Sequence, residues 1–152
     1  MFLIAVLSVG ACVFCLTRDV QEGRFSLSGT IEVPQRLLPM AEADNNSCAI
    51  IVKNEADVPV AIKRVINPKF PLSFALGEED LLAEQVEGDL KLEVQINSHG
   101  QLGVIKKGDI FGVAENPVHA ADKQVLVQAD KTLGPVQLAR NVKGNFFRTA
   151  AR

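Results

Sequence analysis

Apolar and polar residues alternate along most of the chain between positions 25 and 130. The clearest stretch is 90–96, where every second side chain is apolar. A period of two sends successive side chains to opposite faces of a strand, so such stretches predict half-buried β-strands. The pattern indicates strands at 25–33, 49–53, 58–66, 72–76, 90–96, 101–105, 110–114 and 124–129.

The first of these stretches also predicts which side chains face the core. Phe25, Leu27, Ile31 and Val33 share one face, and Pro34 ends the strand because proline cannot donate a ladder hydrogen bond. Turn-forming residues separate the stretches at intervals of roughly 8–12 residues, which is typical of a sandwich or barrel. The sequence therefore predicts an all-β fold, a single antiparallel β-sandwich of seven or eight strands, with one or two helical turns at 80–86.

A different pattern occupies the N-terminus, where residues 2–16 are almost all apolar and none is charged. This length lies between a signal-peptide core and a spanning helix, so a membrane anchor, a cleaved signal and a lipoprotein segment are open alternatives, as is a buried core helix. The run Val9-Gly10-Ala11-Cys12 resembles a lipobox and makes Cys12 the candidate lipidation site. The first three alternatives place the rest of the chain outside the cytoplasm, in the cell envelope.

These patterns divide the chain into four parts. Residues 1–17 form the hydrophobic segment, predicted as a helix, 18–24 a linker, 25–130 the β-domain and 131–152 a tail. The tail carries five cations and no acid, and an anionic lipid surface or an acidic partner would attract it. The cations are Lys131, Arg140, Lys143, Arg148 and Arg152.

Composition narrows the function classes. The 152 residues are 47% hydrophobic and 22% charged, which excludes a disordered chain. A formal net charge of −2 disfavours nucleic acid as a partner, because phosphate recognition calls for a basic surplus.

Few side chains suit catalysis or metal binding. The two histidines, His99 and His119, lie in separate turns, and neither has a neighbouring ligand at zinc spacing. Nucleophile, phosphate-loop and calcium-loop motifs are absent from the sequence. Cys48 begins an apolar run and is predicted to be a small buried side chain. We therefore expect a binding protein rather than an enzyme, with no catalytic residue, cofactor, metal or small-molecule substrate.

Three blocks carry a family resemblance: 27–31 (LSGTI), 59–64 (PVAIKR) with 71–76 (PLSFAL), and 107–112 (KGDIFG). Their order and spacing resemble the C-terminal periplasmic domain of the cytochrome c-type biogenesis factor, which presents apocytochrome c to the haem ligation complex. The resemblance covers about residues 25–130. That family also has two membrane helices and a tetratricopeptide region, whereas this sequence has one hydrophobic segment and no helical repeat.

The resemblance implies an accessory factor in cytochrome c maturation, anchored at the outer face of the cytoplasmic membrane. Such a factor would bind apocytochrome c or a haem ligation subunit by protein–protein contacts. Lys63 and Arg64 are the candidate binding rim, because two adjacent cations within a strand are hard to explain by packing alone. The alternative is a general envelope lipoprotein whose β-sandwich binds a partner unrelated to haem.

Overall fold

The structure, a computed structural model, describes residues 24–134. These residues contain eight strands and two short helical turns. One helical turn, α1, spans Leu38–Ala41 and has a proline in its first turn, where a missing N–H is tolerated. The other is a 3-10 turn at Glu78–Asp80. The strands are β1 (Leu27–Glu32), β2 (Ser47–Lys53), β3 (Pro59–Ile66), β4 (Leu72–Leu76), β5 (Lys91–Asn97), β6 (Ile110–Val113), β7 (Val125–Gln128) and β8 (Lys131–Thr132).

The strands form two sheets. The first has the order β4-β1-β7 and the second the order β3-β2-β5-β6-β8. Side chains from both sheets pack into one hydrophobic core, which makes the all-β fold sandwich-like. Leu27 and Ile31 enter this core from the first sheet, and Ile50 and Val94 enter it from the second.

The chain between β7 and β8 passes from one sheet to the other, and two glycines permit the crossing. A Cβ on Gly29 would lie 2.8 Å from the carbonyl carbon of Val125 and closer still to its oxygen. A Cβ on Gly112 would lie 2.8 Å from the Cα of Ala129. Only a residue without a side chain allows the backbones to approach this closely.

Much of the predicted pattern is confirmed. The fold is all-β with eight strands, and Leu27, Ile31, Leu92 and Val94 are fully buried, as their alternation indicates. Cys48 is also fully buried within β2.

Four strand-level expectations differ from the structure. The β1–β7 pair is parallel, because β7 arrives by a crossover rather than a hairpin, so the sheets are not purely antiparallel. The register shift between Val52 and Lys53 interrupts β3, so Val58, Val60 and Ile62 do not share one face. Residues 101–105 form no strand. In contrast, β8 extends the sheet two residues past the predicted domain end at 130.

The predicted helical turns at 80–86 are also replaced. Asp80 ends the 3-10 turn, and the next residues extend toward β3, where the N–H of Leu82 donates to the carbonyl of Val60 over 2.8 Å. The predicted N-terminal helix lies outside the described residues, as does Cys12. Between residues 24 and 134, no helix is long and apolar enough to cross a membrane.

Candidate protein-binding edge at strand β3

Strand β3 is the longest strand at an edge of either sheet, and its pairing shows which backbone groups face outward. The N–H of Asn67 donates to the carbonyl of Asn46 over 2.8 Å, which makes these two residues a hydrogen-bonded pair across β3 and β2. Hydrogen-bonded and non-hydrogen-bonded pairs alternate along an antiparallel ladder. Lys63 and Val65 therefore direct their N–H and C=O groups toward β2, whereas Arg64 and Ile66 direct theirs away from the sheet.

A neighbouring segment covers only the first half of this edge. Leu81 forms an antiparallel bridge with Ala61, and the N–H of Leu82 donates to Val60. Beyond that bridge, no strand of the described residues pairs with the outer side of β3. We call the uncovered stretch, Lys63 to Ile66, the open edge.

Exposed apolar side chains gather around β3. Val58, Ile66 and Leu82 are 52%, 61% and 62% exposed, and with Leu126, also 52% exposed, they are the four most exposed large hydrophobic residues in the described part of the chain. The other edge strands are shorter: β4 presents the small side chains Ser73 and Ala75, β7 has four residues with Leu126 exposed, and β8 has two residues. An uncovered strand edge bordered by apolar side chains is a template for pairing with another chain.

Lys63 lies on the core side of β3, directly opposite Ile50 of the core. Its Nζ is 3.1 Å from Oδ2 of Asp80, and the same carboxylate oxygen accepts the N–H of Gly77 over 3.0 Å. The side chain of Asp80 is only 12% exposed, so this ion pair is largely shielded from water. It links β3 to the turn after β4, and that contact explains the lysine in structural terms.

Arg64 lies on the opposite face of β3. It is directly opposite Ala49, and its guanidinium crosses β2 and donates a hydrogen bond to the carbonyl of Gly100. The arginine is exposed. The structure thus places the two predicted rim residues on different faces, with Arg64 outward and Lys63 engaged with a carboxylate.

The loop that Arg64 contacts, residues 98–109, is held by side chains of β5 and of its own ends. The amide oxygen of Gln95 accepts the N–H of Gly103 over 3.0 Å, which explains why Gln95 is buried on the outer face. Nε2 of His99 is 2.9 Å from Oδ2 of Asp109, and the N–H of Gln101 donates to Nδ1 over 3.1 Å. These bonds hold residues 101–105 as a loop rather than as the predicted return strand.

The connection from β3 to β4 borders the far end of the open edge. Oε1 of Glu42 accepts the N–H of Phe70 over 2.9 Å, and Lys69 lies 3.5 Å from the same carboxylate. The hydrogen bond from Phe70, with the charge of Lys69 adding to it, lowers the pKa of Glu42 from its ordinary value. Phe70 packs against the core, so the connection is held from both sides.

The opposite end of the domain is acidic. A cavity of about 340 Å³ there is lined by four carboxylates: Glu55, Asp57, Asp89 and Glu115. Hydrogen bonding and charge attraction from Asp57 raise the pKa of Lys91 at its rim, and Glu93 adds to the attraction. His119 lies nearby, with Nε2 3.1 Å from Asp89.

The two histidines and Cys48 are the side chains of the described residues that the sequence offers for metal binding or thiol chemistry. In the described range, no three His, Cys, Asp or Glu side chains are placed to hold a metal ion, and His99 and His119 have separate carboxylate partners. Burial raises the pKa of the Cys48 thiol to about 12, so it remains protonated and unreactive at neutral pH.

Sequence reasoning missed two residues of this surface, Leu82 and Ile66. The predicted helical turns at 80–86 include Leu82, and only its contact with Val60 places it beside β3. Ile66 is the last apolar residue before Asn67-Pro68, and the signal available in the sequence is that its apolar run ends there.

Comparisons with known proteins add one distant relative. A stretch of 79 residues is 33% identical to an uncharacterized protein of Aquifex aeolicus (strain VF5), covering 51% of this chain and 52% of that protein. The match thus spans about half of each protein. No protein-family model matches the chain, and no solved structure matches it.

Proposed function

We propose that this chain is a polypeptide-binding protein, and that a segment of the partner adds as an extra strand to the open edge. The observation that carries the proposal is the uncovered backbone of Arg64 and Ile66, together with the exposed side chain of Ile66. Strand addition obtains affinity from main-chain hydrogen bonds and selectivity from side-chain contacts. Binding of this kind needs no catalytic group.

The resemblance of the three sequence blocks supplies the pathway. On that basis the partner is apocytochrome c or a subunit of the haem ligation complex, and the chain acts as an accessory factor in cytochrome c maturation. The apolar segment at 2–16 supports a location at the outer face of the cytoplasmic membrane. Two sheets enclosing one core support the β-sandwich domain that the resemblance implies.

A proline substitution in the full-length chain tests the edge. In Ile66→Pro the lost N–H faces outward, so the β2–β3 ladder keeps its hydrogen bonds while the donor for an added strand disappears. Ile66→Thr removes the same apolar side chain but keeps the N–H and is the matched control. We expect immobilised Ile66→Pro to retain much less haem-free cytochrome c than wild type, and Ile66→Thr to retain an intermediate amount.

Circular dichroism melting of both variants establishes that they are folded. Equal retention by wild type and folded Ile66→Pro would show that β3 is not the binding edge. Retention of unrelated unfolded polypeptides as strongly as haem-free cytochrome c would favour the general envelope binding module over the cytochrome pathway.

A further inference from the structure

We infer that the segment accepted by the open edge carries an acidic residue two positions away from an apolar residue. The inference rests on the proposed strand addition and specifies its ligand. Two side chains on one face of β3, Arg64 and Ile66, set this pattern.

Register follows from the outward backbone groups. In an added antiparallel strand, the residue opposite Arg64 and the residue opposite Ile66 would both exchange main-chain hydrogen bonds with β3, because Arg64 and Ile66 point their N–H and C=O groups outward. Directly opposed residues place their side chains on the same face, with Cβ atoms about 4.5–5.5 Å apart. The two residues of the added segment are therefore two positions apart, and their side chains lie on the same face of the sheet as Arg64 and Ile66.

Charge selects an acid at the first of these positions. The recorded partner of Arg64 is a neutral carbonyl, that of Gly100, and within residues 24–134 the guanidinium forms no ion pair. An added strand lies on the side of β3 away from β2, so the guanidinium must turn from the neutral Gly100 carbonyl to meet a carboxylate there, and a charged partner favours this exchange. Two carboxylates at other points around β3 already have cations, since Asp80 contacts Lys63 and Glu42 contacts Lys69.

An apolar residue suits the second position. Ile66 is 61% exposed, and an aliphatic side chain directly across from it would remove part of that surface from water.

A second copy of this chain is a poor partner for the open edge. If β3 of one copy paired with β3 of another so that Arg64 lay opposite Arg64, the two guanidinium groups would be directly opposed, which is unfavourable.

Three blocked peptides test the inference. Their central residues are Val-Thr-Asp-Thr-Val, Val-Thr-Asn-Thr-Val and Val-Thr-Lys-Thr-Val, so that apolar residues flank the central position in either strand direction. Each ends in Trp, and since the chain has neither Trp nor Tyr, peptide emission and anisotropy report binding directly. Wild-type full-length protein and its Arg64→Glu variant are titrated with all three at low and moderate salt.

Wild type is expected to bind the Asp peptide about three- to tenfold more tightly than the Lys peptide, with the Asn peptide between them. Arg64→Glu should reverse the order, and both preferences should shrink as salt screens the charges. Equal affinity of wild type for the three peptides would overturn the acidic preference but leave strand addition intact. If none binds and Ile66→Pro also leaves retention of haem-free cytochrome c unchanged, strand addition itself is wrong.

Discussion

Replacement of Gly29 by alanine tests whether the close approach between β1 and β7, neighbouring strands of the first sheet, stabilises the fold. The added Cβ would lie 2.8 Å from the carbonyl carbon of Val125, closer to its oxygen, and 3.0 Å from Cε1 of Phe74. Carbon atoms in contact are normally about 3.5–4.0 Å apart, so the backbones must separate by roughly 0.7 Å or more. A backbone carbonyl in a paired strand cannot rotate away as a flexible side chain can.

The expected cost follows from two opposing effects. Overpacking a well-filled site costs about 1–3 kcal/mol, and the upper part of this range applies where the obstacle is backbone. Alanine in place of glycine in a strand recovers about 0.5–1 kcal/mol of conformational entropy. A net loss of about 2 kcal/mol in the free energy of unfolding lowers the melting temperature of a domain of this size by about 8 °C or more.

Thermal unfolding followed by circular dichroism measures this shift in the full-length chain. Gly134→Ala is the matched control, because no atom of the described residues lies within 4 Å of the Cβ it would add. Gly112→Ala should behave like Gly29→Ala, because its Cβ would approach the far end of the same crossing chain. A melting temperature of Gly29→Ala within about 2 °C of wild type would refute the reasoning, because it would mean that β7 can shift without loss.

Three further outcomes are expected. Lys63→Met should lower the free energy of unfolding by about 1–3 kcal/mol, because the shielded carboxylate of Asp80 loses its cation, whereas Arg64→Met should change this free energy by less than about 0.5 kcal/mol. Denaturant titration compares the two variants, and equal losses would contradict the placement of Lys63 and Arg64 on different faces of β3. The pKa of Cys48 is raised in the folded protein to about 12 from an ordinary 9.0, so stability present below pH 9 should fall as pH rises toward 12. The melting temperature of wild type should decline more steeply over this range than that of Cys48→Ala, and parallel declines would contradict the prediction. Because the pKa of Glu42 is lowered in the folded protein, Glu42 contributes stability above its ordinary pKa of 4.5 that is lost as pH falls through its folded pKa. The melting temperature of Glu42→Gln should therefore fall less steeply with acid than that of wild type, and equal slopes would count against the Phe70 contact.

The sequence alone determined those strands in which one face packs into the core and the other does not. In β1 and β5, apolar residues at every second position reach one core, so alternation identifies both the strand and its buried face, as Leu27 and Val94 show. Burial of Cys48 follows in the same way from the apolar run that it begins. These features depend on the local side-chain pattern, which a strand converts directly into two faces.

Tertiary structure decided which strands are neighbours and which side of each remains uncovered. Nothing local to residues 101–105 reveals that Gln95 binds the backbone at Gly103, and nothing near Leu82 reveals its contact with β3. The opposite placement of Lys63 and Arg64 follows from strand geometry, but their partners, Asp80 and Gly100, are distant in sequence. An open edge exists only where no other segment pairs, and pairing between distant segments is set by the packing of the whole chain.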